Sequence, residues 1–248
     1  MIICKTRKEL EKMREAGRVV GQTLALMARL VQPGVKTIHL DREAEKFIRS
    51  KGATPTFKGY RGFPASLCVS INEQVVHGIP SQRRLKEGDI VSIDCGATLN
   101  GYIGDSAVTL PVGRCKSELI ALLQTTREAL HAAIESARIG HRLGDISQAV
   151  QSVAEPAGYG IVREYCGHGV GRQLHEAPQI PNVGIPGTGP KVTAGWTIAI
   201  EPMLNMGKSR VKELADGWTV VTQDGQPSAH FEHTVGVTPG GPVILTLP

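Results

Sequence analysis

The stretch DIVSIDCGATLNGYIGDSAVTLPVG, Asp89 to Gly113, is rich in alternating Val and Ile and is broken once, at Asn100-Gly101. Asn-Gly between alternating apolar runs is the strongest short-range hairpin signal, because both residues tolerate the positive φ of a two-residue turn. With those two residues as the loop, Asp94 faces Ala107, and Asp105 is the diagonal neighbour of Asp94 on the same sheet face. Diagonal Cα atoms in such a ladder lie about 7 to 8 Å apart. Two carboxylates held that way repel unless a cation sits between them, and a divalent metal is the obvious candidate. The alternative is an exposed turn aspartate and a backbone-capping one, the usual fate of Asp near a hairpin.

On the N-terminal side of the hairpin, Leu10, Met13, Val20, Leu24, Met27 and Val31 recur at helical steps, which predicts a helix from Thr6 to about Leu30. A second helix is expected over Leu40–Ser50, ended by Gly52, followed by strand-like LCVSINEQVVHGIP. On the C-terminal side the order starts again. Helices are expected over Ser117 to about Arg138 and Ile146 to about Ala157, and strands then resume. The breaks QPGVKTIHLD and ARIGHRLGDI resemble each other, and VHGIP is echoed by LHEAP. We therefore expect an α+β fold of two duplicated halves, about 1–113 and 114–248, sharing one core with a cleft between them in a single domain.

Composition narrows the function. The chain has 248 residues, 41% hydrophobic, enough for one substantial core. Its net charge of +5 is scattered rather than gathered into a basic tract with stacking aromatics, so DNA or RNA binding is not the expected main function. No apolar run has the length of a signal peptide or a membrane span, and a cytoplasmic protein without a membrane partner is expected. Five separated cysteines without a CxxC pair suggest neither a disulfide framework nor a cysteine zinc site. No apolar heptad demands a dimer, and a monomer is expected.

Further acids come from the last quarter. WTIAIEP is an apolar strand ending in Glu201, and SAHFEHTVGV is read as one strand carrying Glu232. A carboxylate in such a setting is costly unless paired or coordinated. Asp94, Asp105, Glu201, Glu232 and one histidine would nearly balance two divalent ions and suit Mn, Fe or Co better than a thiolate set would. Two ions sharing a water give the two-metal route to hydrolysis. In GHGVGRQLHEAP, Gly167 to Pro178, two histidines lie seven residues apart in a run of glycines. His233 should point to the opposite sheet face from Glu232. His230 shares the parity of Glu232 and stands outside the predicted set, and His39, His131 and His141 read as surface residues.

In content and order, VHGIP, DIVSID, GYIGDSA, GHGVGRQLHEAP, IEPM and HFEHT closely resemble the type I methionine aminopeptidases, over essentially the whole chain and in the short bacterial form. The resemblance implies the pita-bread fold, two pseudo-symmetric α+β halves around a central antiparallel sheet and metal cleft. It also implies hydrolytic removal of the initiator methionine from peptides and nascent chains before a small second residue, by a hydroxide bound to two metal ions (Co, Mn, Fe, Ni or Zn), with weak ribosome association. By the same resemblance Asp94 binds one metal through both oxygens, Asp105 and Glu232 bridge the pair, and His168 and Glu201 complete the other ion. His77 and His175 contact substrate, with His175 donating to the carbonyl oxygen and Glu201 shuttling a proton. Tyr60, Phe63, Cys68 and Trp218 are expected around the methionine side chain, where sulfur against ring edges is favourable. Leu174 departs from the usual aromatic and Phe57 from a smaller residue, which bears on the shape of the pocket. Trp196 stands where a smaller apolar residue is expected. The competing readings are a prolidase-like Xaa-Pro hydrolase of the same fold and a non-catalytic module binding ribosomes or RNA.

Overall fold

The computed structural model describes residues 1–248. Helix α1 (Arg7–Leu30) starts one residue after Thr6, whose side chain accepts from Glu9 N while Glu9 Oε2 accepts from Thr6 N at 2.8 Å. This reciprocal cap satisfies two amides that the helix start would leave unpaired. The face of α1 bearing Met13, Ala16, Val20, Leu24 and Met27 is buried. Helix α2 (Thr37–Ser50) begins three residues before the first apolar residue used to predict it. Thr37 explains the difference: its Oγ1 donates to Ser81 O and accepts from Ser81 N, so a side-chain tie starts the helix ahead of its apolar stripe. Strands β1 (Thr54–Pro55), β2 (Leu67–Ile71) and β3 (Gln74–Val76) follow. Asp41 of α2 accepts from the amides of Ser66 and Leu67 at 2.8 and 2.9 Å, and so fixes where β2 enters the sheet.

The decisive hairpin is β4 (Ile90–Leu99) and β5 (Tyr102–Pro111), turning at Asn100-Gly101 with φ of 51° and 76°. Its register is the expected one, Asp94 opposite Ala107 and Asp105 opposite Gly96. Helix α1 lies directly on it. A Cβ on Gly104 would stand 2.6 Å from the backbone of Gly17, so only glycine permits that approach.

Helix α3 spans Ser117–Ser136, and α4 spans Leu143–Ala154 rather than Ile146 to about Ala157. Asp145 accepts from Arg142 N at 2.7 Å and starts α4 early. Pro156, which cannot donate into a helical turn, follows two residues after its end. The remaining strands are β6 (Gly160–Ile161), β7 (Gly167–Gly169), β8 (Glu176–Ile180), β9 (Thr197–Ile200) and β10 (Met203–Asn205). They continue with β11 (Val211–Glu213), β12 (Val220–Thr222), β13 (Ser228–His230), β14 (Glu232–Thr238) and β15 (Gly241–Ile244). The expected single strand SAHFEHTVGV is thus two. Phe231 separates β13, which pairs with β10, from β14, which pairs with β5 and β9.

The main sheet runs β1-β4-β5-β14-β9-β7-β8, with β2 also on β4 and β15 also on β14. Val20, Leu24, Met27, Leu40 and Ile48 of α1 and α2 pack with Val69, Ile93 and Cys95, while Leu122, Leu130, Ile146 and Val150 of α3 and α4 pack with Ile198, Ile200 and Val235. Each such fully buried aliphatic side chain contributes about 1.5–3 kcal/mol. Trp196 has its explanation here. Only 2% exposed, it belongs to the α3/α4 cluster, and its carbonyl accepts from Val237 N at 2.8 Å, so a large ring fills the space beneath those helices. No helix is long and apolar enough to cross a membrane.

Candidate metal centre and substrate cavity

Five strands that are consecutive in the sheet, β4, β5, β14, β9 and β7, each bring one predicted ligand, from within the strand or just past its end. Asp94 lies on β4, Asp105 on β5, Glu232 at the start of β14 and His168 on β7, and Glu201 directly follows β9. Ala107 faces Asp94 on one side and Glu232 on the other, so the two acids share one cross-strand row and one sheet face. Asp105, two residues along β5, points the same way.

All eleven residues expected to hold metal or substrate line one cavity of about 280 Å³. Asp105 and Glu232 are 3% and 2% exposed. Burial, before any neighbouring charge, pushes all four carboxyls upward. Asp105 is raised to about 7 by burial, and Glu201 to about 8 by burial and by the charge of Asp105. Asp94 and Glu232 are raised well above the carboxylate range, by burial first and then by the other acids.

The donor atoms fit a divalent cation. Asp94 Oδ1, Asp105 Oδ1, Glu232 Oε1 and His230 Nε2 are buried without a hydrogen-bond partner. Ligand atoms of Asp105, His168 and Glu232 lie within 4.8 Å of one another. His168 Nε2 is 3.7 Å from Asp105 Oδ2 and 3.7 Å from Glu201 Oε1, too long for hydrogen bonds but reasonable for ligands about 2.0–2.2 Å from a shared ion. His168 Nδ1 lies 2.9 Å from Gly169 O; donating there leaves the Nε2 lone pair facing the acids. Burial and His175 lower His168 to about 4, which keeps it neutral and able to ligate.

Raised carboxyl pKa values have a consequence for the metal-free protein. Unfolded Asp and Glu ionise near 4, whereas folded Asp105 and Glu201 hold their protons to about 7 and about 8. The folded state is therefore favoured at low pH, and that contribution is lost as pH rises through 7 to 8. The Tm difference between metal-loaded and metal-stripped protein should widen from about pH 5 to about pH 9 in calorimetry; a constant difference would contradict this electrostatic picture.

At the mouth, Tyr60 Oη lies 2.7 Å from His175 Nδ1, and the His175 and His168 rings are 4.3 Å apart. Burial and the Arg61 charge lower His175, favouring its neutral form. With Tyr60 donating, His175 carries its proton on Nε2. His77 adopts φ of 59°, and its ring meets the edges of Tyr165 and Trp218 at 5.6 and 6.4 Å. Phe63 packs edge-on against Trp218 at 5.0 Å, with Cys68 beside them in the apolar wall. Leu174 and Phe57 are buried in that wall, so both departures bear directly on its shape.

Three neighbours lie outside the predicted set. Tyr165 and Arg61 line the cavity. His230 Nε2 lies 3.7 Å from Glu201 Oε2 and 3.8 Å from Glu232 Oε2, and burial lowers it to about 3. Its shared parity with Glu232 was the available signal. His233 faces elsewhere, as expected, with Nδ1 2.8 Å from Thr246 Oγ1.

Buried acids that converge from adjacent strands and keep unpartnered oxygens are the donor set of a metal site, and residues 11–239 match the model of Metallopeptidase family M24, which makes the chain a metal-dependent hydrolase. A methionine aminopeptidase of Clostridium perfringens is 54% identical, over 100% of this chain and 99% of its own. The crystal structure of methionine aminopeptidase from Rickettsia prowazekii superposes with a TM-score of 0.98 at 44% identity, covering 100% of both chains. The chain belongs to metallopeptidase family M24 and, within it, to the methionine aminopeptidases. The prolidase from Pyrococcus furiosus shares the pita-bread fold, with a TM-score of 0.80 over 99% of this chain and 66% of its own, but at 24% identity the likeness is one of fold alone. Neither the Xaa-Pro reading nor the non-catalytic one is favoured.

Proposed function

We propose that Asp94, Asp105, His168, Glu201 and Glu232 would hold two divalent ions, with Asp105 and Glu232 placed to serve both, and that the chain there hydrolyses the bond after an N-terminal methionine when a small residue follows. The observation that carries this is the set of unpartnered buried oxygens, on adjacent strands, at the base of a cavity walled by rings and a thiol. Bound ions of Co, Mn, Fe, Ni or Zn would acidify a water and polarise the scissile carbonyl. The protein's own groups supply orientation and proton transfer. Phe63, Trp218, Cys68 and Tyr60 receive the methionine side chain, whose sulfur gains about 0.3–1.5 kcal/mol against each ring edge. His175 donates from Nε2 to the carbonyl oxygen as charge develops there, and His77 contacts the substrate near the scissile bond. The Glu201 side chain is 13% exposed, against 5% and 3% for Asp105 and Glu232, so it can meet both the acids and the substrate and carry a proton toward the leaving amine. His230 Nε2 lies 3.7 Å from Glu201 and 3.8 Å from Glu232.

The division into pseudo-symmetric halves, 1–113 and 114–248, is supported by a helix pair followed by strands in each. A cytoplasmic monomer meeting nascent chains, in passing contact with the ribosome, is the setting this reading implies. Protein reconstituted with Mn or Co should release methionine from Met-Ala-Ser and leave Ala-Pro essentially uncut. Preferential cleavage of Ala-Pro would transfer the chain to the Xaa-Pro hydrolases.

A further inference from the structure

The cavity is lined by four carboxylates and one permanently charged cation, Arg61. Arg61 occupies the short turn Tyr60–Gly62 with φ of 50° and ψ of 23°, a left-handed conformation that residues bearing a Cβ rarely adopt. Gly59 and Gly62 take φ of 87° and 91° in the same turn without that cost. The turn is closed by backbone bonds from Gly59 N to Phe63 O at 2.8 Å and from Phe63 N to Tyr60 O at 2.9 Å. None of these bonds needs an arginine, and glycine would suit position 61 better. A strained backbone kept under a side chain at the mouth of a site points to a use for that side chain.

Cations nearby are already engaged. Lys58 pairs with Glu45 at 2.7 Å, and Arg172 donates to Tyr102 Oη at 2.8 Å. The Arg61 guanidinium has the Tyr60 ring beside it, 5.4 Å from the centroid, and is close enough to His175 to lower its pKa. Its donors remain free for a ligand.

We propose that Arg61 is a specificity-determining residue that binds a carboxylate on the substrate beyond its second residue, so that acidic N-terminal regions are processed in preference to basic ones. This rests on the methionine-removal reading given above. In that reading the methionine end of the peptide is directed inward, so the rest of the chain must leave through the mouth, past Tyr60 and Arg61. Two divalent ions would balance the four carboxylates, leaving Arg61 as the charged lining residue where the peptide emerges. Its planar fork suits a carboxylate through two parallel hydrogen bonds.

The test compares C-terminally amidated Met-Ala-Asp, Met-Ala-Ser and Met-Ala-Lys with metal-reconstituted protein at low salt. The expected kcat/KM ratio of the Asp to the Lys peptide is about fivefold, the size an exposed charge pair supports, falling with added salt. Arg61→Gly fits the left-handed turn, so the chain still folds, and should bring the ratio close to one. Arg61→Glu should invert it. These ratios do not depend on how much of each preparation is active. A parent ratio near one, or one unchanged in Arg61→Gly, would overturn the role of Arg61. Failure of the parent to release methionine from any of the three would instead remove the underlying reading, and this inference with it.

Discussion

Asp105→Ala, and equally Glu232→Ala, is expected to lower Met-Ala-Ser turnover by about 10³-fold or more, the scale seen when an indispensable catalytic group is removed. These two acids are the most enclosed of the set, 3% and 2% exposed, and each retains an oxygen with no partner in the chain. Their position explains why either loss should be so damaging. Asp105 projects from β5 and Glu232 from β14, at the middle of the five-strand arrangement, so each can reach toward both flanks of the site. Asp94, on β4 at the edge of that arrangement, approaches from one flank only. Alanine removes one of the four carboxylates that would balance the ions and adds no bulk, so the fold should persist. Circular dichroism of the variants should match the parent, and steady-state turnover should register the loss.

His175→Ala should behave differently, keeping its metal while kcat falls by about 10² or more, the usual effect of removing a donor to a developing oxyanion. The distinction follows from geometry. His175 stands at the mouth, its Nδ1 2.7 Å from Tyr60 Oη, whereas His168 is buried with Nε2 against the acids. The two rings lie 4.3 Å apart, yet only the His168 ring has a nitrogen within 4 Å of the acids. Turnover by His175→Ala at the parent rate would return that residue to a purely structural role. Unchanged metal content accompanied by reduced kcat would separate its function from that of His168.

Much of this site was legible because one turn fixes it. Asn100-Gly101 sets the hairpin register, and the register alone puts Asp94 and Asp105 on one face. Glu201 stood out as an acid at the end of an apolar strand and Glu232 as one read inside such a strand. The assignment of roles to His168 and His175 came from resemblance, and the structure separates their surroundings. Helix boundaries were less legible, since α2 and α4 start where Thr37 ties to Ser81 and Asp145 caps Arg142, contacts that leave no trace in apolar periodicity. Tyr165 reaches the cavity through packing with His77, far away in sequence, and Arg61 through a left-handed turn that apolar periodicity does not reveal. His230 is hard to place from sequence for a related reason. The chain breaks at Phe231, and only the fold reveals that His230 nevertheless stays against Glu201 and Glu232.

On the proposed reading these strand-borne acids act as one shared centre rather than as independent buried carboxyls. Counting metal per chain by mass spectrometry, after stripping with a chelator and reloading with Mn or Co, tests it most directly. Two ions are predicted in the parent, both lost in Asp105→Ala and in Glu232→Ala. Retention of two ions by either variant, or parent activity that survives complete removal of metal, would contradict the account.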